Sequence, residues 1–138
     1  MSDLVWQEQL KGGCSVAVIA MITGETQQAI LNTFSTFCGQ CGTDDANLDH
    51  LLAEFGYAVQ RLWPDKLFDG LKRTPWPPKP WAEKHIASVY QRKADVDGHY
   101  VCVDRRGRVY DPADAEYIPS RLSRYYRVEW IAGVVAVE

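Results

Sequence analysis

Residues 9–24 read Gln9-Leu10-Lys11-Gly12-Gly13-Cys14-Ser15-Val16-Ala17-Val18-Ile19-Ala20-Met21-Ile22-Thr23-Gly24. Two glycines punctuate the chain, and a run that is apolar on every side follows. Periodicity alone does not separate a buried helix from a buried strand in such a run, but its length and its alanine and methionine content favour the helix. A helix that is apolar all round belongs in a core. Gly24 closes it as a left-handed C-cap residue. Cys14 therefore opens a buried helix, at the end where the peptide dipoles and free N–H groups favour negative charge.

Downstream, Thr26 is placed to N-cap a second helix from Gln27 to about Thr36, with Ala29, Ile30 and Phe34 on one face. After the turn CGQCGTDD, Asp44 or Asp45 caps a third helix over residues 46–55, whose Leu48, Leu51, Leu52 and Phe55 form the i, i+3, i+4, i+7 stripe. Gly56 ends it, and residues 57–62 read as a short strand. Four prolines within residues 74–81 exclude a helix interior or a central strand there. From His85 the pattern becomes β. Residues 85–91 alternate, residues 100–104 and 108–110 form a hairpin around Arg105-Arg106-Gly107, and Asp111-Pro112 ends it. A short helix is expected at 119–124, then two strands, 126–131 and 134–137. Helices first and an antiparallel sheet afterwards define an α+β domain with helices on one sheet face. A length of 138 residues fits one domain, 1–138.

Composition narrows the partners. A hydrophobic share of 46% supplies a core without staples, and a net charge of −3 gives no electrostatic reason to expect nucleic acid or an anionic membrane as partner. The N-terminus lacks a basic start followed by a long apolar run, so a cytoplasmic location is expected and Cys14, Cys38, Cys41 and Cys102 read as thiols. Cys38-Gly-Gln-Cys41 lacks the second ligand pair of a structural zinc site and reads as a turn; no metal or cofactor is expected. His50 falls on the polar side of the third helix, and His85 reads as structural. Trp76 and Trp81 cover a core edge or rim a groove, and Arg121, Arg124 and Arg127 read as a solvated face.

Thiol hydrolysis needs a thiolate, a base beside it, a group that orients the base, and donors for the oxyanion. Cys14 at a helix N-terminus suits the first role, although a free cysteine is often only a small buried apolar residue. His99, at a strand entry after Gly98, suits the second. Asp111, on the returning arm of the same hairpin, suits the third. His99 and Asp111 are also ordinary turn residues when taken separately; the order Cys, His, Asp favours the chemical reading. For the oxyanion, the Cys14 N–H and a side-chain amide are available. In an extended segment Gln7 and Gln9 share a face opposite Glu8. Gln9, nearer to Cys14, is assigned the role, with Gln7 as the alternative.

The stretch QLKGGCSVAVIAMITG resembles the nucleophile segment of papain-like cysteine peptidases, in particular the bacteriocin-processing (double-glycine leader) branch and its standalone bacterial and phage relatives. Gly-His-Tyr-Val-Cys-Val-Asp at 98–104 and Val-Tyr-Asp-Pro at 109–112 resemble that branch's base strand and orienting Asp-Pro. Two positions depart from it: Ser15 stands where glycine is usual, and Glu8 stands where the oxyanion glutamine is usual. The resemblance implies a papain-like fold and a cysteine peptidase acting on a peptide or isopeptide bond of a peptide or protein substrate. Two other classes share these residues: a catalytically silent papain-fold binding protein, effector or inhibitor, and an acyltransferase using the same triad.

Overall fold

The structure, a computed structural model, describes residues 4–38, 45–62 and 82–137, with side chains omitted at 34–38 and 62. Helix α1 runs Gly13–Thr23, α2 Gln27–Cys38 and α3 Asp45–Glu54; strands are β1 Tyr57–Leu62, β2 Lys84–Tyr90, β3 His99–Asp104, β4 Val109–Tyr110 and β5 Arg127–Ala136. The strands form one sheet in the order β1-β5-β2-β3-β4, and every pairing is antiparallel. Three helices on a five-stranded antiparallel sheet are the α+β architecture read from the sequence.

The all-round apolar run becomes the central helix. Ser15 to Ile22 are all buried, and the Gly24 N–H closes α1 on the Ala20 carbonyl. At the other end, the Thr26 hydroxyl accepts from the Ala29 N–H at 3.1 Å, the N-cap expected for α2. In α3, Leu48, Leu51 and Leu52 are buried and His50 is exposed, as the leucine stripe requires. These helices pack Ile19, Ile22, Ile30 and Leu51 against Ile86, Tyr100, Cys102, Trp130 and Ala132 on one sheet face. Burial of each large aliphatic side chain is worth about 1.5–3 kcal/mol. The opposite face carries a second cluster, in which Val89, Val101, Val103 and Ile131 are covered by Leu122 and Tyr125.

Two expectations need correction. The C-terminal pair of strands is a single ten-residue strand, β5. Ala132 and Gly133 suggest a turn locally, but Gly133 pairs with Gln60 on one side and His85 on the other. A strand held between two neighbours stays extended because leaving the ladder would strand its backbone donors and acceptors. The helix expected at 119–124 is only one 3₁₀ turn, Leu122–Arg124. The CGQC turn beyond Cys38 and the segment with Trp76 and Trp81 lie outside the described residues. Among the described residues no single helix is long and apolar enough to cross a membrane.

Candidate active site

Cys14 is the second residue of α1, so its thiol lies at the positive end of the helix dipole. Gly12 and Gly13 make that entry. Gly13 has φ +78°, a conformation that suits glycine, and a Cβ on Gly12 would lie 2.4 Å from Val16 Cγ2. The helix can therefore start here only on residues without side chains. Cys14 itself is half-buried.

His99 opens β3, and its Nε2 lies 2.7 Å from Asp111 Oδ1. With Nε2 committed to the carboxylate, Nδ1 is the ring nitrogen left for the hydrogen bond that joins His99 to the Cys14 thiol. Asp111 directly follows β4. The β3–β4 register pairs Cys102 with Tyr110 and Val103 with Val109, so the imidazole–carboxylate bond reaches diagonally across the hairpin.

The Asp111 carboxylate is buried and fully engaged. Oδ1 also accepts the Ala113 N–H at 2.8 Å, and Oδ2 accepts the Tyr125 hydroxyl at 2.5 Å. Arg124 Nη2 stands 3.7 Å from Oδ2 and makes its closer contact, 2.9 Å, with Asp114. The Asp111 carbonyl accepts from Trp6 Nε1 at 2.7 Å, which ties the N-terminal segment to the hairpin. One Asp111 oxygen thus both closes the Asx turn and meets the imidazole.

The electrostatics separate thiol and imidazole in opposite directions. Burial pushes the Cys14 thiol up, but hydrogen bonds from His99 and the Tyr100 N–H, the His99 charge and its own N–H leave it below a cysteine's ordinary value. Burial pulls His99 down, and hydrogen bonds to Asp111 and Cys14, with their charges, raise it to about 9. Burial pushes Asp111 up, and His99, Tyr125 and the Ala113 N–H bring it below the usual carboxylate range. These shifts favour a thiolate–imidazolium pair beside a carboxylate. Cys102 differs: it is fully buried, and burial raises its thiol well above the ordinary value.

The two candidate amides separate as well. Gln7 and Gln9 are half-buried and Glu8 is exposed, the alternation of an extended segment. Gln7 Oε1 accepts from Gln27 Nε2 at 3.0 Å, which anchors it to α2. The Gln9 backbone N–H donates to the Pro112 carbonyl at 2.7 Å, beside Asp111. Its side-chain Oε1 is buried without a hydrogen-bond partner.

Sequence reasoning missed Trp6, Tyr125 and Arg124 around Asp111. Arg124 is exposed, as a solvated face offset by acids requires, and it pairs with Asp114 while flanking Asp111. No local motif marks these residues. His85 is fully buried in β2, in line with a structural role. Among the described residues no group of three or more His, Cys, Asp and Glu is arranged to hold a metal ion.

No family model matches the chain, and no curated protein does. Solved structures do. The peptidase domain of Streptococcus ComA, a bifunctional ABC transporter involved in a quorum-sensing pathway, is 15% identical with a TM-score of 0.62, over 99% of this chain and 100% of that one. A double-glycine-motif protease from an AMS/PCAT transporter, in complex with a leader peptide, is 13% identical with a TM-score of 0.60, over 98% of this chain and 93% of that one. At these identities the likeness establishes the fold, which is the papain-like one expected from residues 9–24.

Proposed function

We propose that this chain, which has the fold of double-glycine peptidase domains, is a cysteine peptidase that hydrolyses a peptide or isopeptide bond. The observation that carries the reading is the linked set Cys14, His99 and Asp111, with the thiol lowered and the imidazole raised. In this reading the Cys14 thiolate attacks the scissile carbonyl carbon. The oxyanion that forms is held by the Cys14 N–H and the Gln9 side-chain amide. The His99 imidazolium protonates the leaving amine, which departs and leaves a thioester on Cys14. Neutral His99 then takes a proton from water, whose oxygen attacks the thioester, and collapse releases the acid and restores the thiolate. Asp111 holds the imidazole's tautomer and orientation throughout.

A similar structure holds a leader peptide and carries the double-glycine name. The first substrate to try is therefore a peptide with a Gly-Gly pair at the cleavage point. Mass spectrometry should show two products from the unaltered protein and none from Cys14→Ala. Iodoacetamide at mildly acidic pH should label Cys14 ahead of the other three cysteines. Preferential labelling of Cys38 or Cys41, or failure of an electrophilic peptide probe to modify Cys14, would refute the peptidase and leave a binding protein.

A further inference from the structure

We propose that Tyr125 is a positioning residue for the Cys14–His99 pair, acting through the second oxygen of Asp111. The proposal rests on the thiol-hydrolase reading above and adds to it the control of proton affinity at the base.

The geometry divides the carboxylate into two halves. Oδ1 faces His99 Nε2 at 2.7 Å and the Ala113 N–H at 2.8 Å. Oδ2 faces the Tyr125 hydroxyl at 2.5 Å, with Arg124 Nη2 at 3.7 Å. Arg124 adds little here, because Asp114 takes its guanidinium through two bonds of 3.1 and 2.9 Å. From the N-terminal segment, Trp6 addresses the Asp111 backbone carbonyl and leaves the carboxylate alone. Among the described residues Tyr125 is thus the hydrogen-bonded donor on Oδ2, and it is buried in the cluster on the far sheet face. Its hydroxyl stays protonated, since burial and the neighbouring carboxylate both raise it.

A carboxylate shares its charge between its oxygens, and a donor on one oxygen reduces what the other offers. Tyr125 therefore limits how strongly Oδ1 holds the His99 proton. That matters because His99 must give a proton to the leaving amine and later take one from water. An imidazole held too firmly as imidazolium performs the first step and stalls the second. The hydroxyl also prevents the carboxylate from rotating away from His99. Tyr125 acts from the segment that leads into β5, so the strand's placement and the base's proton affinity are joined.

The test is a titration of the three histidines in ¹⁵N-histidine protein, without any substrate. Tyr125→Phe should raise the His99 midpoint by roughly half a unit to one unit, a fraction of a full hydrogen bond to a charged group. A 3-fluorotyrosine placed at 125, a stronger donor, should lower it. Buried His85, with its midpoint at about 4, reports whether the fold has held. An unmoved or lowered His99 midpoint in Tyr125→Phe, with His85 unchanged, would overturn the proposal. So would an unmoved or raised midpoint with the fluorinated residue, and that measurement decides alone if Tyr125→Phe opens the fold. Peptide cleavage is read separately: the predicted shifts in a protein that cleaves nothing would sustain Tyr125 and refute the peptidase.

Discussion

Asp111 accepts five hydrogen bonds among the described residues, from Trp6, His99, Ala113, Asp114 and Tyr125, and this makes its substitution informative. In Asp111→Asn the amide oxygen can remain on His99 and Ala113 while the amide nitrogen donates to the Tyr125 oxygen, which then acts as acceptor. The fold should survive, but the charge that stabilises the imidazolium is gone. Turnover should fall roughly a hundredfold or more with little change in thermal stability. Loss of the folded state would assign Asp111 to the turn alone. The glutamines give a second comparison. A lost oxyanion donor costs about a hundredfold to a thousandfold in kcat, so Gln9→Ala should fall in that range with Cys14 still alkylatable. Gln7→Ala breaks a partly exposed bond to Gln27, worth about 1 kcal/mol, and should leave kcat nearly unchanged. The reverse ranking would transfer the role to Gln7.

At the scale of elements, α1 depends on its first turn. A methyl group at Gly12 would meet Val16 at 2.4 Å, and Val16 is itself buried in the core. Gly12→Ala should therefore destabilise the protein by about 1–3 kcal/mol, the usual cost of overpacking. It should also slow Cys14 alkylation by displacing the helix N-terminus. Val16→Ala makes a cavity alone, but combined with Gly12→Ala it should cost clearly less than the two separate losses added. Additive losses in urea titrations would show that the two side chains do not compete for this space. The same elements show what a sequence discloses. Helix α1 was legible because a run apolar on all faces has one home, the core, and the hairpin was legible because glycine and charge separate two short apolar strands. Strand β5 was misread because Ala132-Gly133 resembles a turn and only the neighbours β1 and β2 hold it extended. Cys14, His99 and Asp111, which the structure brings together, stood out because each role in thiol chemistry demands a residue type. Trp6 reaches Asp111 across 105 residues and Tyr125 across 14, and no local pattern encodes such a meeting.

The whole molecule responds to pH through the groups that folding shifts. Burial lowers buried His85 from 6.5 to about 4, against the Val103 backbone bond and the Asp104 charge. The unfolded chain takes up that proton below 6.5 and the folded chain only near 4, so stability should fall across this window by about 3 kcal/mol. The alkaline side is set by the thiol and imidazole together. His99 is raised to about 9; alone, it would contribute stability present in full below 6.5 and lost as pH rises toward 9. Cys14 is lowered from 9.0, and its contribution is present above that value and lost as pH falls through the folded one. Where pH lies above both 6.5 and the folded Cys14 value and below 9, the folded pair holds one proton, on the imidazolium, and the unfolded pair also holds one, on the thiol. No net proton is exchanged, so the urea midpoint should stay level there. Cys14→Ala removes the thiol that carries the proton in the unfolded chain, while Asp111 still raises His99. The midpoint of that variant should decline as pH rises from 6.5, and the two profiles should diverge on the alkaline side. Parallel profiles would mean that Cys14 and His99 do not share a proton in the folded protein, and the thiolate–imidazolium pair would fall with them.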